Sequence, residues 1–157
     1  MGLETLICCH SNYLFTMEEC VENGRYLKQF PGVILDAAVH DPWGAKHLVA
    51  TPDNLYAFYE NDLVDVISTD FAAGNSDSML EAIQHASLEK KLVGFAKAVN
   101  QGTKKVAEIL PLLAPNLGLL EKGYTADIVV TRYPEIKDVS HVYIGGKLVA
   151  KDGKVFR

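Results

Sequence analysis

Cysteine is scarce: the 157-residue chain has three, Cys8, Cys9 and Cys20, an odd number with two of them adjacent. Neighbours in a strand point to opposite faces, so this spacing excludes a disulfide framework and leaves reduced, packing thiols. No Cys-x-x-Cys pair occurs, which removes the usual signature of a structural zinc site. Basic residues are not in excess and not clustered: Lys+Arg number 15 against Asp+Glu 20, a formal net charge of -5. Such a surface does not hold a phosphate backbone, so nucleic acid is not an expected partner. Long apolar runs are missing too. The apolar stretches are strand-sized, far from the ~20 residues that a membrane helix needs, and the first residues lack the basic flank of a signal peptide. The expectation is a cytoplasmic protein with no membrane contact. Neither an internal repeat nor a low-complexity stretch interrupts the chain.

What is there is a chain 48% hydrophobic, long enough for one ordinary domain or two small compact units. Residues 4–70 alternate apolar strands with helical stretches, the rhythm of parallel β/α units. A first strand, "TLICC", is followed by "TMEECVENGRYLKQF", in which Thr16 and Glu19 make a capping-box pattern and Pro31-Gly32 is the stop. "VILDAAV" supplies a second strand over residues 33–39. Beyond the turn "DPWG", Thr51 is the expected cap and Pro52 the first position of a helix through "NLYAFYEN". "VDVIST" is the third strand, ending at Asp70, and a "GNSD" loop leads to the helix "SMLEAIQHA". Residues 88–113 read as helical, interrupted around Asn100-Gln101-Gly102. The tail changes character: "DIVVT", "VSHVYIGG" and "KLVAKDGKVF" are short strands separated by Pro, Gly-Gly and Asp-Gly turns, an antiparallel pattern. The expected organisation is therefore parallel α/β units over residues 1–116 and a β appendage over 117–157.

In a parallel β/α array the loops beyond the C-terminal strand ends converge on one face, and chemistry gathers there. The three expected strands end at His10, at His40-Asp41 and at Thr69-Asp70. Imidazole and carboxylate are ligands of zinc-type ions, which bring bound water towards neutral pKa, and a nearby carboxylate can take its proton. The bland readings stand beside these. A histidine at a strand end is often only hydrogen-bonded or solvated, and an aspartate before "FAAG" can cap the turn or the next helix. His47, His85 and His141 fall in helical or edge-strand stretches and read as surface or packing residues. The residue pattern by itself yields an acidic, imidazole-bearing face and no reaction.

The stretch "DVISTDFAAGNSDSMLEAI", then a helical segment, then "GLLEKGYTADIVVTRYPEIKDVSHVYIGGKLVAKDGKVF", resembles the C-terminal part of the metal-dependent amidohydrolase superfamily. Its members are eight-stranded β/α barrels of the TIM type with a small β-sandwich built from both chain termini. Their last barrel strand reads apolar-Ser/Gly-Thr-Asp, here "VISTD". Their return to the sandwich reads Gly-x-Ile/Leu-x-x-Gly-x-x-Ala-Asp-Ile/Leu-Val-Val, here "GLLEKGYTADIVV", and a closing Asp-Gly-Lys follows. The match covers roughly residues 60–155, with two separate signatures in the right order.

The resemblance implies a partial (β/α)8 barrel, about its last three β/α units, followed by a small antiparallel β-sandwich segment. Asp70 becomes the eighth-strand residue, a metal ligand and proton acceptor from the attacking water. "VILDAAV" becomes the seventh strand and "LICCH" the sixth, whose terminal His10 would bind the second ion. A register with His10 on the fifth strand and His40 on the sixth leaves no room for a seventh. His40 and the loop residues Asn75, Ser76 and Ser78 are then expected to face the substrate, an amide or cyclic amide cleaved at its C–N bond. The cofactor implied is a divalent metal, zinc by family habit, in the complete enzyme.

The sequence also departs from the family pattern. The His-x-His pair of the first strand, the carboxylated lysine of the fourth and the histidine of the fifth have no counterparts in these residues. Three strands cannot close a barrel, and one aspartate with one or two histidines falls short of the usual ligand count. The expectation is a chain with little or no activity of its own that works with an N-terminal barrel half. The alternatives are a non-catalytic, self-associating interaction module and, more weakly, a flavodoxin-like domain, which would lack a phosphate-cradling glycine loop and leave the β tail unexplained.

Overall fold

The computed structural model describes residues 5–12, 16–38, 52–69 and 78–156. The chain divides into two compact units, Met1–Gly102 and Thr103–Arg157. The first contains a three-stranded parallel sheet in sequence order, β1 (Leu6–Cys8), β2 (Val33–Ala38) and β3 (Val66–Ser68). Leu6 lies opposite Val33 and Cys8 opposite Leu35, while Asp36 lies opposite Val66 and Ala38 opposite Ser68.

Helix α1 (Met17–Leu27) starts as the capping-box pattern requires. The Thr16 hydroxyl accepts from the Glu19 N–H at 3.3 Å, and a Glu19 carboxylate oxygen accepts from the Thr16 N–H at 3.0 Å. The helix stops at Leu27, before the apolar run reaches Phe30, because residues 28–30 fold into a turn whose N–H groups donate to Gly24, Tyr26 and Leu27 carbonyls. Gly32, at φ 80°, then redirects the chain into β2. Gly24 lets α1 approach closely: a Cβ there would lie 2.9 Å from Leu63 and 3.6 Å from Leu35.

Helix α2 (Pro52–Glu60) packs against α1 and β2 and contributes Leu55, Ala57 and the fully buried Phe58. Asp65, just before β3, ties β3 to β2 by accepting from the Leu35 N–H at 2.8 Å, and its own N–H donates to the Leu35 carbonyl at 3.1 Å. Helix α3 (Met79–Gln84) continues as a single π-helical turn (His85–Glu89), in which the Ser87 hydroxyl donates to the Ile83 carbonyl at 2.6 Å. Helix α4 (Phe95–Gly102) packs on β3 and α3. The helical break falls at Thr103 and not at the preceding Asn-Gln-Gly, because the buried Gln101 donates from Nε2 to the Val64 carbonyl at 2.7 Å and holds its turn in place.

The second unit holds α5 (Lys104–Ile109) and a four-stranded antiparallel sheet, β4 (Ile128–Thr131), β5 (Val139–Ile144), β6 (Lys147–Lys151) and β7 (Lys154–Val155), again in sequence order. Its hairpins turn where the sequence places them. Gly145 and Gly146 have φ of 55° and 77°, and Asp152 and Gly153 of 46° and 77°, the two consecutive positive values of a type I′ turn. Two features of "GLLEKGYTADIVV" acquire physical reasons here. Gly118, at φ +85°, passes so close to α5 that a Cβ would lie 2.8 Å from the Lys104 Cα. Asp127 accepts from the Gly145 N–H at 2.7 Å and so fastens the β5–β6 turn to the entry of β4. The loop between α5 and Tyr124 borders an open groove of about 310 Å³.

Candidate functional site

β1 ends at Cys8, and the next four residues form a turn laid along β2. The Ser11 N–H donates to the Asp36 carbonyl at 2.8 Å, and the Ser11 hydroxyl to the Cys8 carbonyl at 2.7 Å. Asn12, buried, accepts from the Ala38 N–H at 3.0 Å and donates to the Ala38 carbonyl at 3.1 Å. Its amide thus continues the ladder where the β1 backbone has left the sheet. Asn54 of α2 closes over it, donating to the Asn12 carbonyl at 3.2 Å.

Within this turn His10 has φ 53°, a left-handed conformation uncommon outside glycine that costs roughly 1–2 kcal/mol. It is held by Asp36, whose Oδ2 accepts from the His10 N–H at 3.3 Å. The same oxygen accepts from the Ser68 hydroxyl of β3 at 2.9 Å. Strand alternation accounts for the direction of Asp36: Leu35 and Ala37 are fully buried, with Leu35 against α1, so Asp36 projects from the opposite face of β2.

Asp36 is nevertheless only 6% exposed. Burial pushes its carboxyl above the ordinary carboxylate range, and the Ser68 hydroxyl, the His10 N–H and the charged form of His10 each pull it partly back. The strand ends therefore carry a buried acid, a half-buried histidine and a hydroxyl, a set able to bind polar groups and to hold or release a proton.

Asp36 was not among the residues that the sequence singled out, although one acid inside the apolar run "VILDAAV" is the signal that could have found it. Of the expected site residues, His10 is in this cluster. Asp70 follows Thr69 directly in sequence but lies outside the described residues, as do His40, Asn75, Ser76 and His47. Ser78 is the N-cap of α3: its hydroxyl accepts from the Glu81 N–H at 3.2 Å, and its N–H donates to the Glu81 carboxylate at 2.7 Å. His85 faces Glu89 with Nδ1 3.3 Å from the carboxylate. His141 stacks on Tyr143 in the antiparallel sheet. None of the three cysteines is in a disulfide.

Among the described residues no group of three or more His, Cys, Asp or Glu could hold a metal ion, so those residues do not by themselves fit a resident cation. None of the described helices is long and apolar enough to cross a membrane.

No family model matches the sequence, and no curated protein matches it. Solved structures do resemble the fold. The β-aspartyl dipeptidase of Fervidobacterium islandicum AW-1, solved with a β-Asp-Leu dipeptide, aligns over 100% of this chain and 42% of its own, with a TM-score of 0.71 and 21% identity. The L-hydantoinase (dihydropyrimidinase) of Arthrobacter aurescens aligns over 97% of this chain and 46% of its own, with a TM-score of 0.68 and 15% identity. An adenosine deaminase of Xanthomonas campestris with bound zinc aligns over 99% and 39%, with a TM-score of 0.63 and 20% identity. The chain thus spans less than half the length of each. These neighbours are TIM-barrel enzymes of the amidohydrolase superfamily, and this chain shares the fold of the part of them with which it aligns.

Proposed function

We propose that this chain supplies the last three β/α units and the small antiparallel sheet of an amidohydrolase-type hydrolase that cleaves an amide or cyclic-amide C–N bond. The observation that carries the reading is that Asp36 of β2 joins the turn after β1, which bears His10, to Ser68 at the end of β3, two residues before Asp70 in sequence. That is the edge on which β/α folds place chemistry. In this reading Asp70 acts as the general base that takes the proton of the attacking water, and His10 acts as a metal ligand. His40, Asn75 and Ser76 line the substrate side. Ser78, with its hydroxyl engaged at the α3 cap, orients the loop before it.

A divalent ion, zinc in the adenosine deaminase neighbour, belongs to this reading as a cofactor of the assembled enzyme. Its further ligands come from outside the described residues. The remaining barrel strands come from an N-terminal half.

The test is complementation. The chain is mixed with the portion of the β-aspartyl dipeptidase neighbour that it does not align with, and zinc and β-Asp-Leu or a hydantoin are supplied. Release of the free amino acid or ring-opened product is then followed. The chain alone is expected to show little or no turnover, the mixture to show turnover, and D70A to lower it by at least 100-fold, the upper range for a missing general base being about 10⁴. Turnover by the isolated chain that D70A leaves intact overturns the reading, and so does a stable homo-oligomer that refuses the N-terminal half.

A further inference from the structure

We infer that Asp36 is a positioning residue: a single carboxylate oxygen joins the turn that carries His10 to the strand that leads into Asp70. This inference rests on the reading of His10 and Asp70 as the working residues of the site. Three observations carry it. Asp36 is a charged residue type buried within an apolar strand, which folding disfavours unless its polar atoms are engaged. Its Oδ2 is engaged twice, by the backbone N–H of His10 and by the side chain of Ser68, and these donors belong to the two strands flanking β2. The residue it grips on the β1 side has the left-handed backbone at φ 53°, a conformation that persists only where neighbours impose it.

The rest of the turn is held by backbone groups and by Asn12, which would remain whatever occupied position 36. The Asp36 carboxylate acts on the His10 N–H and, through Ser68, on β3. Removing it should loosen the His10 backbone without unfolding the turn, and should loosen Ser68, two residues before Asp70 in sequence. Partners of this kind, one step removed from a ligand, typically change metal affinity about 10–100-fold when lost.

The experiment uses the full chain, isotopically labelled, and compares wild type with D36A and D36N. Amide hydrogen exchange at His10 is expected to quicken about fivefold in D36A, the scale of one net hydrogen bond, while amides of α1 stay as in wild type. In D36N, where an amide oxygen of the same shape is the weaker acceptor, the His10 amide proton should move upfield with a smaller gain in exchange. In the complementation mixture described above, D36A should lower turnover about tenfold and D36N less. An unchanged His10 amide in D36N overturns the inference even if D36A fails to fold, and so does a loss of protection shared equally by α1. Failure of wild type in the complementation assay counts against His10 and Asp70 as working residues, and the amide comparison then still decides the role of Asp36.

Discussion

The two units of this chain are built on different principles. Nearly all of the buried apolar side chains belong to the parallel unit: Cys20, Leu35, Ala37, Phe58, Ala82, Ala86 and Ala98 are wholly inaccessible. Among the described residues of the antiparallel unit only Ile136 is a buried hydrophobic, while Val129, Val130, Ile144, Leu148, Val155 and Phe156 are exposed. The first unit is held by side chains interlocking between helices and sheet, the second by turn geometry and a backbone ladder. In the parallel unit some polar side chains are buried and engaged, as in Asp36 with His10 and Ser68 and Gln101 with the Val64 carbonyl, beside exposed pairs such as Lys97 with Asp62. In the antiparallel unit they form exposed ion pairs, with Arg132 donating to Asp138 at 2.8 Å and to Asp152 at 2.6 Å.

The contrast can be broken most forcefully at Phe58. F58A empties the centre of the parallel unit and should cost about 3–5 kcal/mol there. Chemical denaturation followed by residue-resolved exchange should show α1, α2 and β2 melting early while β5 and β6 keep their protection. Simultaneous loss in both units would show that the difference in construction is not a difference in cooperativity.

Position 118 probes the other unit. G118A forces a side chain onto a left-handed backbone and against the Lys104 Cα, which cannot yield as the end of a flexible side chain would. A cost of about 1–3 kcal/mol is expected, read as faster exchange in α5 and β4 with the parallel unit unaffected.

The smallest effect is electrostatic. The Arg132 hydrogen bond, before the charges of Arg132, Lys151 and His141, holds the Asp152 carboxyl below its ordinary value of 3.8. A lowered folded-state pKa means that the contribution is present above 3.8 and is lost as pH falls through the lowered value. Because these groups are exposed, D152N should shift the acid limb of β6–β7 unfolding only slightly, and added salt should shrink the difference further. An acid transition unchanged by D152N would reduce the Arg132 network to surface decoration.

Much of this was legible in the sequence, for reasons that differ by unit. The hairpins at Gly145-Gly146 and Asp152-Gly153 are local events: the positive φ values that they require are available almost only to such residues. The caps of α1 and α3 are local as well, each set by two residues three apart. Order and type of the three parallel strands followed from apolar runs alternating with helical ones. The end of α1 was less legible, since the apolar pattern continues to Phe30 although the helix stops at Leu27. The break after α4 was legible to within a residue, at Thr103 directly after the Asn-Gln-Gly, whereas the tie of Gln101 to a carbonyl 37 residues away was not.

The site divides along that line too. His10 stood out because a histidine closing an apolar run is visible by type and place. Its left-handed backbone and its tie to Asp36 were not visible, since the partners are 26 residues apart in sequence and meet only when β1 and β2 are in register. The sequence by itself determined the turns, the caps and the succession of strands, all set by interactions within a few residues. Only the tertiary structure decided that Asp36 is buried, that it faces away from α1, and that one of its oxygens joins β1 to β3, because burial and direction depend on what three separated segments place around the same point.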